Sequence, residues 1–86
     1  MTYSIEFSRQ ARKQIAQLDA GMRRRVSGVL TVLSVDPYPP KSVALTNTKA
    51  RRVRVGDYRI VYEVHDKILT VVIFQISHRR DVYRNL

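Results

Sequence analysis

Hydrophobic and polar positions change their period twice along the chain. Tyr3-Ser4-Ile5-Glu6-Phe7 alternates apolar with polar, the pattern of a strand buried on one face. Ser8 then has the chemistry of a helix N-cap. Ala11, Ile15, Leu18 and Met22 follow at helical spacing, with Arg9, Arg12, Lys13 and Gln17 on the other side. Gly21 interrupts that stripe and predicts two helices joined by a tight turn around Asp19-Ala20-Gly21. The second helix carries Met22, Val26, Val29, Leu30 and Leu33. It should stop before Asp36-Pro37, because the residue preceding a proline is pushed out of the helical region.

Residues 37–48 hold all 3 prolines and little periodicity, and are read as a loop. The period then becomes two. Arg51-Arg52-Val53-Arg54-Val55 and Tyr58-Arg59-Ile60-Val61-Tyr62-Glu63-Val64 flank Gly56-Asp57, a strong hairpin signal in which the glycine supplies the positive φ of a type I′ or II′ turn. A turn at His65-Asp66-Lys67 leads into residues 68–76. These are apolar on both faces apart from Thr70 and Gln75, as expected of a central strand. Residues 79–86 are expected to form a short helix or a tail.

The predicted order is β-α-α-β-β-β. That order makes an α+β domain with two N-terminal helices packed on one face of a mainly antiparallel four-stranded sheet. A chain of 86 residues is read as one domain, 1–86. Two amphipathic helices cover one sheet face, so the other must meet solvent or a ligand.

Charge decides between those two. Sixteen Lys and Arg against seven Asp and Glu give a net charge of +9, which favours a polyanionic partner, either nucleic acid or an acidic protein. A hairpin with a loop of two residues sets Arg54 opposite Arg59 and puts Arg52, Arg54, Arg59, Val61 and Glu63 on the uncovered face. Like charges facing each other on a sheet are destabilising. A phosphate bound between them would remove the cost, since guanidinium groups grip it with paired hydrogen bonds. The plainer alternative is that the side chains splay into water, or that Glu63 and Asp57 neutralise them. The run Arg23-Arg24-Arg25 reads most simply as the solvated face of a helix, and His65 as an incidental turn residue.

The last predicted strand should return beside the Gly56-Asp57 turn. It would bring His78-Arg79-Arg80-Asp81-Val82-Tyr83 next to the arginine face. RNA cleavage through its own 2′-hydroxyl needs a base, an acid for the leaving 5′-oxygen and cations on the phosphate. Arginines fill the third role but stay protonated and make poor bases. Imidazole is the side chain that ordinarily titrates near neutrality, which nominates His78 for proton transfer. Positive surroundings favour a phenolate, which nominates Tyr83, whose ring could also stack on a base. No Asp, Glu or His cluster has metal-ligand spacing, so a metal-free mechanism without cofactors is expected. The absence of cysteine fits a reducing cytoplasm. No apolar run approaches the length of a membrane span, and no secretory signal is evident.

Gly56-Asp57-Tyr58-Arg59-Ile60-Val61-Tyr62-Glu63-Val64 and His78-Arg79-Arg80-Asp81-Val82-Tyr83 together resemble the RelE branch of the RelE/ParE toxin superfamily, and the resemblance spans nearly the whole chain. It implies a toxin of a type II toxin–antitoxin system that cleaves mRNA on the ribosome. It also implies an acidic antitoxin that wraps the toxin in a hetero-oligomer. By resemblance, Arg52 and Arg54 match the basic residues before the hairpin, Arg59 the arginine after the turn tyrosine, Arg79 the arginine after the last strand and Tyr83 the C-terminal tyrosine. The expected catalytic set is Arg59, His78, Arg79 and Tyr83, with Arg52, Arg54 and Arg80 binding RNA. The chain departs from the familiar pattern by carrying Arg where lysine is usual before the hairpin, and by a shorter turn and final segment. Two alternatives remain open: a ParE-like protein that inhibits DNA gyrase, and a basic module that binds nucleic acid without cutting it.

Overall fold

The computed structural model describes residues 2–79. Strand β1 (Ser4–Phe7) leads into helices α1 (Arg9–Ala16) and α2 (Ala20–Val35). Strands β2 (Val43–Ala44), β3 (Ala50–Val55), β4 (Tyr58–His65) and β5 (Thr70–His78) follow, with a 3₁₀ turn at Asp66–Ile68 before β5. The sheet order is β1-β5-β4-β3-β2, with β1 parallel to β5 and the other neighbours antiparallel. The α+β class and the two-layer arrangement are those expected. The sheet has five strands and not four, because the expected loop contributes β2, which pairs Val43 with Arg52 and Ala44 with Arg51. Two residues are too few to show a period.

Both helices begin on side-chain caps. The Ser8 hydroxyl accepts from the Ala11 N–H at 3.0 Å, and Asp19 Oδ1 accepts from the Met22 N–H at 2.8 Å. The Asp19 cap puts the break before Ala20, so Gly21 lies inside the first turn of α2 and does not end a helix. The exposed run Arg23-Arg24-Arg25 is not just a solvated face. The Arg23 guanidinium folds back to donate to the carbonyls of Ile15, Ala16 and Leu18 at 3.4, 3.2 and 2.8 Å. It satisfies acceptors that every helix end leaves orphaned. As Pro37 predicts, α2 ends at Val35.

Val26, Leu30 and Leu33 of α2, with Leu18 from the connection between the helices, pack on Val53, Val55, Ile60, Tyr62, Val71, Ile73 and Ile76 of the sheet. Full burial of each such side chain is worth about 1.5–3 kcal/mol. Tyr62 is fully buried, and its hydroxyl donates to the Pro37 carbonyl at 2.8 Å, which ties the connection after α2 to the core.

The expected strand at 68–76 starts two residues later. Ile68 closes the 3₁₀ turn and is exposed, and Leu69 takes a left-handed conformation at φ 49° before β5 begins. Asp66 in that turn is a double acceptor: the Tyr3 hydroxyl donates to Oδ1 at 2.6 Å and the Tyr38 hydroxyl to Oδ2 at 2.7 Å. These bonds hold the Asp66 carboxyl below its ordinary pKa and raise both phenols, Tyr38 to about 12. Among the described residues no helix is long and apolar enough to cross a membrane.

An arginine-rich sheet face as candidate nucleic-acid interface

The β3–β4 register is the one predicted: Val55 faces Tyr58, Arg54 faces Arg59, Val53 faces Ile60 and Arg52 faces Val61. Directly opposed residues share a face, and the faces alternate. Val53, Val55, Ile60 and Tyr62 are buried under the helices. Arg52, Arg54, Arg59, Val61 and Glu63 therefore stand on the other side. Gly56 turns the chain at φ 60°, and Asp57 has no positive φ, which makes the turn type II′. The tip is crowded from the helix side: a Cβ on Gly56 would lie 3.0 Å from the Arg25 guanidinium. Arg25 thus adds a cation beside the turn that sequence reasoning did not assign to it.

In a hairpin with a loop of two residues, the pair flanking the turn is hydrogen-bonded and the next is not. Arg54 and Arg59 therefore form a non-hydrogen-bonded pair, where Cα atoms approach to about 4.5 Å and side chains lie closest. Neither expected neutraliser acts. The Glu63 carboxylate lies 3.1 Å from His65 Nε2, and among the described residues no Arg or Lys lies within ion-pair distance of a carboxylate. Arg54 is exposed, and Arg52 and Arg59 are half-buried. The face is polar along its length: Glu63 and His65 occupy one end, and the arginines crowd the hairpin end.

The end of β5 reaches that hairpin as expected. The Arg79 N–H donates to the Asp57 carbonyl at 2.7 Å, and Arg79 is exposed. The facing differs from the expectation for His78. Val61 pairs with Gln75 but Tyr62 pairs with Ile73, so Phe74 is an extra residue, a β-bulge. One extra residue reverses the alternation beyond it. Ile76 and His78 fall on the helix side, and Gln75 and Ser77 fall on the arginine side. His78 lies opposite Tyr58, their rings edge to face at 5.1 Å and 89°. His78 arrives at the correct end of the sheet but on the opposite face from Arg54 and Arg59. Helix α1 and its cap hold the bulged edge, where among the described residues no strand pairs: Ser8 Oγ donates to the Phe74 carbonyl at 2.7 Å, and Gln14 Oε1 accepts from the Ile76 N–H at 2.6 Å.

Arg80 and Tyr83 lie outside the described residues, as does the expected C-terminal helix or tail. Sequence reasoning missed Ser77 and Gln75, since nothing in residues 68–78 marks a bulge. Among the described residues no three His, Cys, Asp or Glu side chains gather as a metal site would require.

Comparison with known proteins decides the family. Residues 5–83 match the family described as "ParE toxin of type II toxin-antitoxin system, parDE". The chain belongs to this toxin family. It is similar to Toxin RelG of Mycobacterium tuberculosis, with 34% identity over 89 residues that span 98% of this chain and 99% of that protein. The archaeal RelE of the RelE–RelB complex from Pyrococcus horikoshii superposes with a TM-score of 0.82 at 28% identity, covering 92% of this chain and 97% of that one. The toxin–antitoxin complex RelBE2 from Mycobacterium tuberculosis gives a TM-score of 0.82 at 27% identity, over 92% of this chain and 100% of that one. These likenesses make the chain a RelE-type toxin of the RelE/ParE superfamily, a type II toxin.

Proposed function

We propose that this RelE-type toxin is a ribosome-dependent mRNA endonuclease whose arginine face grips the scissile phosphate. The observation that carries the reading is Arg54 set directly opposite Arg59, with Arg52 on the same face and no described carboxylate paired to any of them. In the proposed reaction the 2′-oxygen attacks the adjacent phosphorus as its proton is removed. The bond to the 5′-oxygen breaks, and that oxygen takes up a proton, leaving a 2′,3′-cyclic phosphate and a 5′-hydroxyl. Arg59 and Arg79 stabilise the charge that builds on phosphate, while Arg52, Arg54 and Arg80 hold the strand. Proton transfer falls to Tyr83 and His78 without a metal ion. His78 would act from the strand end, since its ring packs on Tyr58.

An acidic antitoxin is the second partner. The net charge of +9 supports it, and so does the Pyrococcus relative, solved in a complex with RelB. A target on translating ribosomes places the activity in the cytoplasm. A second reading is favoured by the name of the matched family: a ParE-like protein that blocks DNA gyrase. Mapping mRNA 5′ ends after brief expression separates the two. Cuts confined to translated messages support the nuclease, whereas intact mRNA with accumulating double-strand DNA breaks would overturn it. Arg59→Ala combined with Tyr83→Phe should abolish growth arrest, and arrest at full strength would show that the site lies elsewhere.

A further inference from the structure

The bulge at Phe74 completes a row across the sheet. Arg54 on β3 faces Arg59 on β4, and Arg59 faces Ser77 on β5, so the three side chains stand abreast on one face. Neighbouring strands lie about 4.8 Å apart, so the row is two such steps wide. Ser77 is only 4% exposed, and among the described residues its hydroxyl has no hydrogen-bond partner. Nor is its oxygen among the fully occluded unpaired atoms, a condition that among the described residues holds for Arg51 Nε alone. A hydroxyl so sheltered has given up most of its water without a partner among the described residues in return, which is unusual. Its side chain stands on the arginine face, opposite Arg59.

We propose that Ser77 is a phosphate-contacting residue, its hydroxyl donating to a non-bridging oxygen of the RNA phosphate held by Arg59. The inference rests on the reading of this face as an RNA site. Guanidinium groups approach a phosphate from the ends of long side chains, leaving an oxygen directed at the sheet. A short hydroxyl on the floor of the face suits that oxygen, and a hydrogen bond to a charged acceptor is stronger than one between neutral groups. Serine adds no charge, so its contribution to binding differs in kind from that of arginine.

The test is binding of a short fluorescein-labelled single-stranded RNA, followed by anisotropy across a salt series, using the full chain. RNA free of ribosomes avoids cleavage under the proposed reading. Ser77→Ala should weaken binding about tenfold while leaving the salt slope unchanged, because a neutral donor releases no counterion. Arg59→Ala should weaken binding and lower the slope by about 0.7. Ser77→Thr, which keeps the hydroxyl, should restore binding to near the parent value. If Ser77→Ala binds like the parent while Arg59→Ala is weakened, the serine contact is overturned and the RNA reading of the face stands. If Ser77→Ala and Ser77→Thr are weakened equally, Ser77 acts through packing and the contact is again overturned. If neither Arg59→Ala nor Ser77→Ala changes binding, the RNA reading of the face fails.

Discussion

Arg54 faces Arg59 across the β3–β4 hairpin in the closest kind of antiparallel pairing, with no carboxylate of the described residues paired to either. The pair costs stability in the free protein. Arg54→Thr, which keeps a good strand former, should therefore stabilise the fold by about 0.2–1 kcal/mol at low ionic strength. The gain should shrink in high salt, where the repulsion is screened. Urea unfolding at two salt concentrations measures it. Destabilisation at both would show that the guanidiniums do not repel in the folded state.

Gly56 is required by backbone geometry and by its neighbour. At φ 60° any side chain is strained, and a Cβ would press on Arg25 at 3.0 Å. Gly56→Ala should cost about 1–2 kcal/mol from the backbone term alone. Combining it with Arg25→Ala should recover only the part due to the contact. A thermal melt of the single and double variants separates the two contributions.

The Tyr62 hydroxyl is buried and donates to Pro37. Tyr62→Phe keeps the ring and leaves a buried carbonyl unpaired, so a loss of about 1–3 kcal/mol is expected. Denaturant unfolding should show it as a lower midpoint with an unchanged slope.

Asp66 links Tyr3, Tyr38 and its own turn, and its protonation controls the link. Its pKa is depressed in the folded chain, so its contribution is present above the unfolded value of about 3.9 and is lost as pH falls through the folded value. The tyrosines behave oppositely. Their pKa values are raised, so their contribution is present below about pH 10 and is lost as pH rises through the folded value, about 12 for Tyr38. Alkaline titration of phenolate absorbance should show two of the five tyrosines shifting to lower pH in Asp66→Ala. Five unshifted transitions would contradict the clamp.

The parts of the fold legible in the sequence are those that local chemistry dictates. Gly56-Asp57 between two alternating runs sets a register, and the register alone decides which side chains share a face. Pro37 ends α2 for an equally local reason. One misjudged feature is a local competition, and the others depend on partners distant in sequence. Gly21 suggested a break because the Asp19 cap was not weighed against it. Strand β2 exists only because β3 is there to pair with it. The bulge at Phe74 is held by Ser8 and Gln14 from the other end of the chain. No pattern within residues 68–78 announces it, and the facing of His78 was misjudged for that reason.

The contacts from Ser8 and Gln14 also hold the register of the strand end. Excising Phe74 would remove the bulge and leave Ser77 opposite Arg59 and His78 opposite Tyr58, whereas pairing Phe74 with Val61 would slide Ile76 to Arg59 and Ser77 to Tyr58. In this architecture the hydroxyl stands in the arginine row only because one residue of the strand is left without a partner on β4. Pairing register at this strand is therefore a route by which relatives of one shape could come to differ in chemistry.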